Sequence, residues 1–379
     1  MIPADLSAEL ASAISAAIAA GDLPPGAARL RASGTWRPAP LGLVRPGPVR
    51  PETVPGRSAG SYATSLPFGL ARLAGQEPAA VAARLAGALR PADWISSAES
   101  TGDGYLTIEV TGAALASLAV RITRAELSCA RSDALAGVTR AAPPLPDLAA
   151  EPGWRQAWRD QAAALAGRLA AAAGATVVPG PQPELSGSGR PAGPDSVADA
   201  VAYAGADAVR YWLARMPTGR TGGLGREIPV TSDLAYPWYL VSFAHTDAAS
   251  VRRWAADLGL RRAEPDGWLA GLLGEPAELA LLTQLSWLAE RVAGAARRGR
   301  PAEVPRYLEE LAAAWLDCRE SCPALPFGGR AAPRDQAGIS ARLWLADATR
   351  TVLASGLGLV GVAPREWLPA NARTASVVL

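Results

Sequence analysis

Residues 341–362 read ARLWLADATRTVLASGLGLVGV, and this stretch decides the fold class of the C-terminal half. Its apolar side chains recur every three or four positions, which places them on one face of an α-helix. Three upstream stretches have the same spacing, and helices of this kind bury their apolar faces against each other in a bundle. We therefore predict an all-α domain over residues 196–379. The predicted buried stripes are Ala341, Leu345, Ala348 and Val352; Val304, Leu308, Leu311, Trp315 and Cys318; Leu281, Leu285, Leu288 and Val292; and Leu240, Ala244, Asp247, Val251, Trp254 and Leu258.

The N-terminal part has a mixed pattern. Residues 6–20 and 78–90 predict helices, and the proline-rich residues 34–60 predict an extended segment. Residues 94–100 and 105–110 alternate apolar with polar side chains around a Gly-Asp-Gly turn, which indicates a β-hairpin. In that hairpin Tyr105 and Thr107 share one face, and Leu106 and Ile108 share the other. The sequence predicts an α+β domain over residues 1–122.

The segment between these domains, residues 123–195, has a single clear element. A helix is predicted from Trp154 to Ala173, with Gly174 as its stop. The rest is loop-like and shows no alternating series of strands and helices. We therefore predict a linker with one helix and no Rossmann catalytic domain.

Composition limits the functions that are open to the chain. All 37 basic residues are arginines, because the sequence contains no lysine, and they face 35 acidic residues for a net charge of +2. A nucleic-acid site must then come from local arginine clusters rather than from overall charge. The single histidine and three cysteines offer no metal-ligand spacing, and no cofactor is predicted. No basic segment precedes an apolar run, and no run approaches about 20 residues, so we expect a cytoplasmic protein that does not bind a membrane.

Four ordered stretches carry a family resemblance. They are GADAVRYWLARM (205–216), YPWYLVSFAHTD (236–247), YLEELAAAWLDCRESC (307–322) and residues 341–362. Together they resemble the anticodon-binding domain of arginyl-tRNA synthetases, which is named after an Asp-Ala-Leu-Arg signature. The resemblance implies that this half contacts an anticodon arm.

The N-terminal domain resembles another domain of the same family. GSYATS (60–65) and GYLTIEV (104–110) are similar to motifs of the domain that contacts the tRNA elbow at the D-loop. The resemblance implies that Tyr105 stacks on a D-loop base. Thr107 stands where the family has asparagine, which puts base-specific contact there in doubt.

The catalytic domain that joins these two domains in the family has no counterpart in the sequence pattern. The family's His-x-Gly-His signature would need two histidines, and this chain has only His245. Its lysine-containing loop resembles residues 186–190, where Arg190 is the only cation. The resemblance therefore implies that residues 123–195 are the remnant of a deleted catalytic domain.

Candidate contact residues follow from charge, aromaticity and the resemblance. Arginines suit phosphate, and aromatic rings can stack on unpaired bases. Solvated or helix-packing roles remain the alternatives for each residue. His245 and Asp247 do not form a catalytic pair, because residues two apart on a helix point in different directions, and we place His245 off the buried stripe. No catalytic residue is predicted, and the glycine-rich residues 219–227 are taken as a turn. The candidates for tRNA or anticodon contact are Arg210, Arg215, Tyr236, Trp238, Tyr239, His245, Arg252 and Arg253.

These observations support one leading hypothesis and two alternatives. The leading one is a non-catalytic arginyl-tRNA synthetase paralogue that binds tRNA at the elbow and anticodon arm, with arginine tRNA as the first candidate. The second is a protein-interaction module, which the departures from the family pattern at Ser65, Thr107, Ser242 and Asp247 favour. The third is an arginine–tRNA ligase whose nucleotide-binding part is supplied by a partner in trans.

Overall fold

The computed structural model describes residues 2–30, 36–38, 60–180, 196–216, 233–265, 271–326 and 336–368. The chain divides into two compact units. Unit 1 comprises Met1–Leu118 and Pro265–Glu290, and unit 2 comprises Ala119–Glu264 and Arg291–Leu379. The predicted proline-rich segment lies almost wholly outside the described residues.

Unit 1 is an α+β structure built on a four-stranded sheet. The sheet has the order β1-β2-β4-β3, and all neighbouring strands are antiparallel. The predicted hairpin is confirmed: β3 and β4 pair, with Ala98 opposite Ile108 and Glu99 opposite Thr107. The elements are α1 (Ile2–Ala19), β1 (Trp36–Pro38), β2 (Ser61–Thr64), α2 (Leu66–Ala74), α3 (Pro78–Leu89), β3 (Ile95–Ser100), β4 (Leu106–Val110) and α9 (Pro276–Ser286), with a 3-10 helix at Pro25–Arg29.

The core of unit 1 lies on the apolar face of the sheet. Leu106 and Ile108 are fully buried, as the alternation predicts. Helix α1 packs against α3 and contributes Leu6 and Leu10, which are also fully buried. By length and composition alone, α1 is the one described helix that could cross a membrane, although its 18 residues include Asp5 and Glu9. The expectation that no apolar run of about 20 residues is present stays a prediction.

Helix α9 belongs to unit 1, although the sequence analysis places its residues in the helical domain. The Tyr62 hydroxyl on β2 is hydrogen-bonded to the Ser286 hydroxyl at 2.8 Å, and the Tyr62 ring lies 5.3 Å from that of Trp287. The Gly60 amide donates to Thr283 Oγ1 at 2.9 Å. Because burial raises the pKa of Tyr62, the phenol stays neutral. These contacts explain why residues 265–290 group with the sheet rather than with the bundle.

Unit 2 contains the predicted helical bundle. Helix α8 packs against both α11 and α12, and the predicted stripes on α11 and α12 are buried. The bundle elements are α6 (Val197–Ala204), α7 (Ala206–Arg215), α8 (Pro237–Asp257), α11 (Glu303–Ser321) and α12 (Gln336–Leu359). Helices α4 (Gly112–Ala125) and α10 (Leu288–Arg298) each contain a boundary between the units, and a second 3-10 helix covers Glu126–Ala130.

The predicted stripe on α8 is partly wrong. Val251 is fully buried, but Trp254 is 48% exposed and Leu258 is 58% exposed. His245, placed off the stripe by sequence, is only 2% exposed. Helix α8 packs on α7, α11 and α12 and so buries more than one face, which a single stripe does not describe.

The middle segment contains more structure than the predicted linker with one helix. Strand β5 (Thr139–Ala142), helix α5 (Trp154–Ala172) and strand β6 (Thr176–Pro179) form a βαβ unit in which the strands pair in parallel. Gly174 ends α5 with a φ of +89°, as its predicted role as a stop requires. The sequence pattern thus does not reveal this parallel strand pair, and the predicted absence of a Rossmann catalytic domain stays a prediction.

Candidate nucleic-acid interface

The sheet of unit 1 places Tyr105 and Thr107 on one face, as the alternation predicts. Thr107 lies between Ala63 on β2 and Glu99 on β3 in the strand register. The half-buried Tyr105 ring packs edge-on against Phe68, with ring centroids 5.0 Å apart. Glu99 lies on the Thr107 face, and its negative charge opposes phosphate there. This face is better suited to contact with a base than with a nucleic-acid backbone.

Helix α7 carries two candidate arginines, and both have partners inside unit 2. Arg210 donates to Gln161 Oε1 at 3.0 Å and to the Pro146 carbonyl at 3.3 Å, and burial lowers its pKa. Arg215 makes a two-pronged contact with the Glu309 carboxylate at 2.8 and 3.1 Å. Arg210 is thus a packing residue. The Arg215 side chain remains 46% exposed and can also reach a ligand.

The candidate aromatic residues cluster at the start of α8. Tyr236 precedes its first turn, and Tyr239 stacks on Phe243 with ring centroids 6.0 Å apart. Trp238 lines a small cavity of about 210 Å³ beside Gly205 and Asp207, and its Nε1 has no hydrogen-bond partner among the described residues. All three candidate rings are half-buried. The structure therefore brings them together at one end of α8, with part of each ring accessible.

His245 has a defined tautomer. Its Nδ1 lies 3.0 Å from the Arg365 carbonyl oxygen, and since a carbonyl only accepts, Nδ1 carries the hydrogen and donates. Burial lowers the pKa of the imidazole, which is therefore neutral near pH 7. Nε2 is then an acceptor, and it has no partner among the described residues. Asp247 is no acid–base partner, because its Oδ2 accepts from Trp315 Nε1 at 2.9 Å and lies 3.4 Å from Arg319 Nε.

Residues 363–368, here called the C-terminal strap, contact the candidate cations of α8. Glu366 Oε1 lies 3.6 Å from Arg252 and 3.7 Å from Arg350 of α12. The Arg253 guanidinium lies 3.8 Å above the centre of the Trp367 ring. The strap carbonyl of Arg365 accepts from His245. Three of the predicted contact residues are therefore held by one segment that the sequence analysis did not single out.

The strap was missed because it has no helical or strand periodicity. The only signal was the run Arg365-Glu366-Trp367 after the last helix, in which two opposite charges precede an aromatic residue. Arg350 was also missed, because it lies among the apolar residues of α12.

A cleft of about 920 Å³ opens in unit 2 beside the strap. It is within the size range of small-molecule sites. Asp347 on α12 pairs with Arg262, whose guanidinium also lies over the Trp344 ring at 3.6 Å. Burial raises the pKa of Asp347 above its ordinary value although three arginines oppose the shift. The lining is thus highly charged, and its ionisable residues are Arg124, Glu126, His245, Arg252, Arg262, Glu264, Asp347, Arg350 and Glu366.

Two sequence interpretations lie outside the described residues. They are the loop at residues 186–190 with Arg190 and the glycine-rich turn at residues 219–227. Among the described residues, no group of three or more histidine, cysteine or acidic side chains is arranged to hold a metal ion.

Family models match two parts of the chain. Residues 48–110 match the arginyl tRNA synthetase N terminal domain, and residues 241–368 match the DALR anticodon binding domain. The first match contains Tyr105 and Thr107, and the second contains the strap and α8 from Val241 onward, so that Tyr236, Trp238 and Tyr239 lie just before it. The chain thus has arginyl-tRNA synthetase N-terminal and DALR domains, although neither match covers half of it.

Curated relatives of the chain are arginine–tRNA ligases. The protein of Micrococcus luteus is 38% identical over 170 residues, which are 44% of this chain and 30% of that protein. The protein of Kineococcus radiotolerans is 37% identical over 164 residues, 43% of this chain and 29% of that protein. The chain spans less than a third of the length of these relatives.

A solved structure supports the fold. The arginyl-tRNA synthetase of Thermus thermophilus matches with a TM-score of 0.60 at 13% identity, covering 97% of this chain and 100% of that chain. At this identity the likeness concerns the fold alone.

Proposed function

We propose that the chain binds tRNA through its two synthetase-like domains and does not by itself attach an amino acid. The observation that supports the proposal is the position of its single histidine, which is hydrogen-bonded within the anticodon-binding-like half of the chain. His245 lies in α8, in the DALR match, where its Nδ1 donates to the Arg365 carbonyl. Within these 379 residues no histidine is left for the family's nucleotide-binding signature, and no lysine is left for its mobile loop.

The proposed contacts are distributed over both units. On unit 1, Tyr105 with Phe68 supplies aromatic surface for an unpaired base of the tRNA elbow. On unit 2, the ring cluster at the start of α8 and the exposed part of Arg215 face the anticodon arm. Arginine tRNA is the first candidate because the curated relatives are arginine–tRNA ligases. We place this activity in the cytoplasm.

A two-part assay tests the proposal. The full chain is mixed with arginine tRNA, with a minihelix that lacks the D-loop and with an isolated anticodon stem-loop, and binding is measured by fluorescence anisotropy. We expect intact tRNA to bind at least tenfold more tightly than either fragment, because only intact tRNA engages both domains. In parallel, charging with radiolabelled arginine and ATP is measured. Charging by the purified chain above a no-protein control would refute the non-catalytic role.

A protein-docking role is the second candidate, and one observation favours it. The four candidate arginines already have partners inside unit 2: Arg210 with Gln161, Arg215 with Glu309, Arg252 with Glu366 and Arg253 with Trp367. Such pairing reduces the basic surface that RNA would need. Capture of one protein partner at stoichiometric level, together with no affinity for any tRNA, would establish this role in place of the first.

A further inference from the structure

We propose that Arg252 and Arg350 form a phosphate-binding site for a ribonucleotide, and that the chain's own Glu366 occupies it as an intramolecular competitor. The site is the part of the 920 Å³ cleft next to the C-terminal strap. The inference does not require tRNA binding, since a free nucleotide and an RNA strand offer the same phosphate and ribose chemistry.

The strap places one carboxylate between two arginine side chains. Glu366 Oε1 lies 3.6 Å from Arg252 Nη2 and 3.7 Å from Arg350 Nη1, so one carboxylate oxygen lies between two guanidinium groups. Both distances exceed that of a hydrogen bond, so the carboxylate satisfies the two groups by charge rather than by directed hydrogen bonds. Two guanidinium groups facing one anion are the arrangement that recognises phosphate with paired hydrogen bonds.

Two buried hydrogen-bonding groups of the cleft lack partners among the described residues. Arg350 Nε–H is buried and has no hydrogen-bond partner among the described residues. His245 lines the same cleft, is 2% exposed, and its Nε2 is an acceptor without a partner. A buried donor and a buried acceptor that lack partners lower the stability of the fold, and a ligand can provide a hydrogen-bond partner for each of them.

These groups select the ligand class. The arginines require an anion, whereas His245 Nε2 requires a nearby hydrogen-bond donor. A ribonucleotide meets both needs, because a phosphate oxygen accepts from Arg252 and Arg350 while the 2′-hydroxyl, which a deoxynucleotide lacks, donates to His245. Inorganic pyrophosphate meets only the first need.

The strap is exposed enough to be displaced. The side chain of Glu366 is 42% exposed and that of Arg252 is 54% exposed. Partly exposed ion pairs of this kind form with an equilibrium constant of about two to five. When a ligand must displace such a pair, its apparent dissociation constant is multiplied by one plus that equilibrium constant. Removal of the carboxylate should therefore strengthen ligand binding about three- to sixfold.

The test compares Glu366→Gln with a matched control, Glu264→Gln, in the full chain. Glu264 lines the same cleft, pairs with Arg124 at 3.4 Å and is 77% exposed, so its removal changes the net charge equally without freeing Arg252 or Arg350. Binding of AMP, 2′-deoxy-AMP, pyrophosphate and a single-stranded RNA decamer is measured by calorimetry. We expect E366Q to bind AMP about three- to sixfold more tightly than wild type, and E264Q to bind it as wild type does.

A second substitution ties the gain to the proposed site. Adding Arg252→Gln to E366Q should abolish the gain, and circular dichroism confirms that each variant is folded. Equal gains in E366Q and E264Q, or no gain in E366Q for any probe, would overturn the proposal. Binding of 2′-deoxy-AMP as tight as that of AMP, or tighter, would overturn the ribonucleotide assignment.

The probes also separate the two sources of phosphate. A gain for AMP without a gain for the RNA decamer assigns the site to free nucleotides, and a gain for both assigns it to ribonucleotide phosphate in either form. Failure of tRNA binding with a retained AMP gain would refute the proposed function and leave this inference standing.

Discussion

Gly167 on α5 is the residue whose substitution tests the βαβ unit most sharply. The helix crosses β5 at this point, and a Cβ added to Gly167 would lie 2.6 Å from Ala142 Cα and 3.3 Å from the Ala141 carbonyl oxygen. Carbon atoms in ordinary contact are about 3.5–4.0 Å apart. Gly167→Ala therefore forces the helix and the strand apart by about 1 Å, since the nearest atoms are Ala142 Cβ, which is fixed to the backbone, and the backbone itself.

The expected cost follows from two opposing effects. Overpacking of this kind costs about 1–3 kcal/mol, whereas alanine in place of glycine within a helix contributes up to about 1 kcal/mol. We expect G167A to lower the free energy of unfolding by about 1–2 kcal/mol. Gly338→Ala is the matched control, because Gly338 lies in α12 of the same unit with no heavy atom within 4 Å of an added Cβ. That substitution should leave stability unchanged or raise it by up to about 1 kcal/mol.

Urea denaturation followed by tryptophan fluorescence measures both variants, and hydrogen exchange locates the change. In G167A the amides of β5 and β6 should exchange faster than in wild type, while α11 keeps its protection. If G167A is as stable as G338A and β5 keeps its protection, then α5 does not pack on β5 as described.

Three further predictions concern single side chains. Burial, together with the negative charges of Asp160 and Asp147, raises the pKa of Glu151 to about 7. The stability that this raised pKa contributes is fully present below the ordinary pKa near 4.5 and is lost as pH rises through about 7. The free energy of unfolding of Glu151→Gln should therefore equal that of wild type at pH 4 and exceed it by about 1–3 kcal/mol at pH 8. A constant difference across thermal melts from pH 4 to 8 would contradict that assignment. Asp247→Ala should cost about 2–3 kcal/mol, because it removes the acceptor of Trp315 Nε1 and the partner of Arg319, whereas Asp247→Asn should cost about half as much. Equal denaturation midpoints for these two variants would show that the contacts do not stabilise unit 2. Tyr62→Phe should cost about 0.5–1.5 kcal/mol by removing the hydrogen bond to Ser286, and should speed hydrogen exchange in α9. Unchanged exchange there would place α9 apart from the sheet.

The helices of unit 2 could be predicted from sequence because their apolar residues repeat with the helical period. Val304, Leu308, Leu311 and Trp315 are all buried, as that spacing requires. The same reasoning failed for α8, which packs on three helices and buries His245 as well as Val251. Spacing reveals one buried face of a helix, whereas the number of its neighbours is a property of the tertiary structure.

The strands β5 and β6 gave no sequence signal for a physical reason. Each has four residues, and none of those side chains is buried, so no alternation of apolar and polar residues marks them. The pairing is held by backbone hydrogen bonds, which any sequence can make. The close approaches at Gly167 and Gly180 are specific to the sequence, but a glycine in a helix or loop is ambiguous without the structure.

Three members of the candidate site could be predicted from the sequence, but Arg350 and the partners of these residues could not. Sequence reasoning identified Arg252, Arg253 and His245 from charge and from a motif, and the structure brings all three under the strap. Glu366 and Trp367 were missed, because a pairing between residues more than 100 positions apart leaves no local pattern. The functional assignments of these residues stay predictions until binding is measured.

The most direct test of the central claim is the salt dependence of tRNA binding by the full chain. The association constant for arginine tRNA is measured from 50 to 300 mM salt and plotted as its logarithm against the logarithm of salt concentration. A protein that binds both the elbow and the anticodon arm displaces several counterions from the tRNA phosphates. We therefore predict that this plot has a slope steeper than about −2. A slope near zero, or no measurable binding at 50 mM salt, would contradict the claim that this chain binds tRNA.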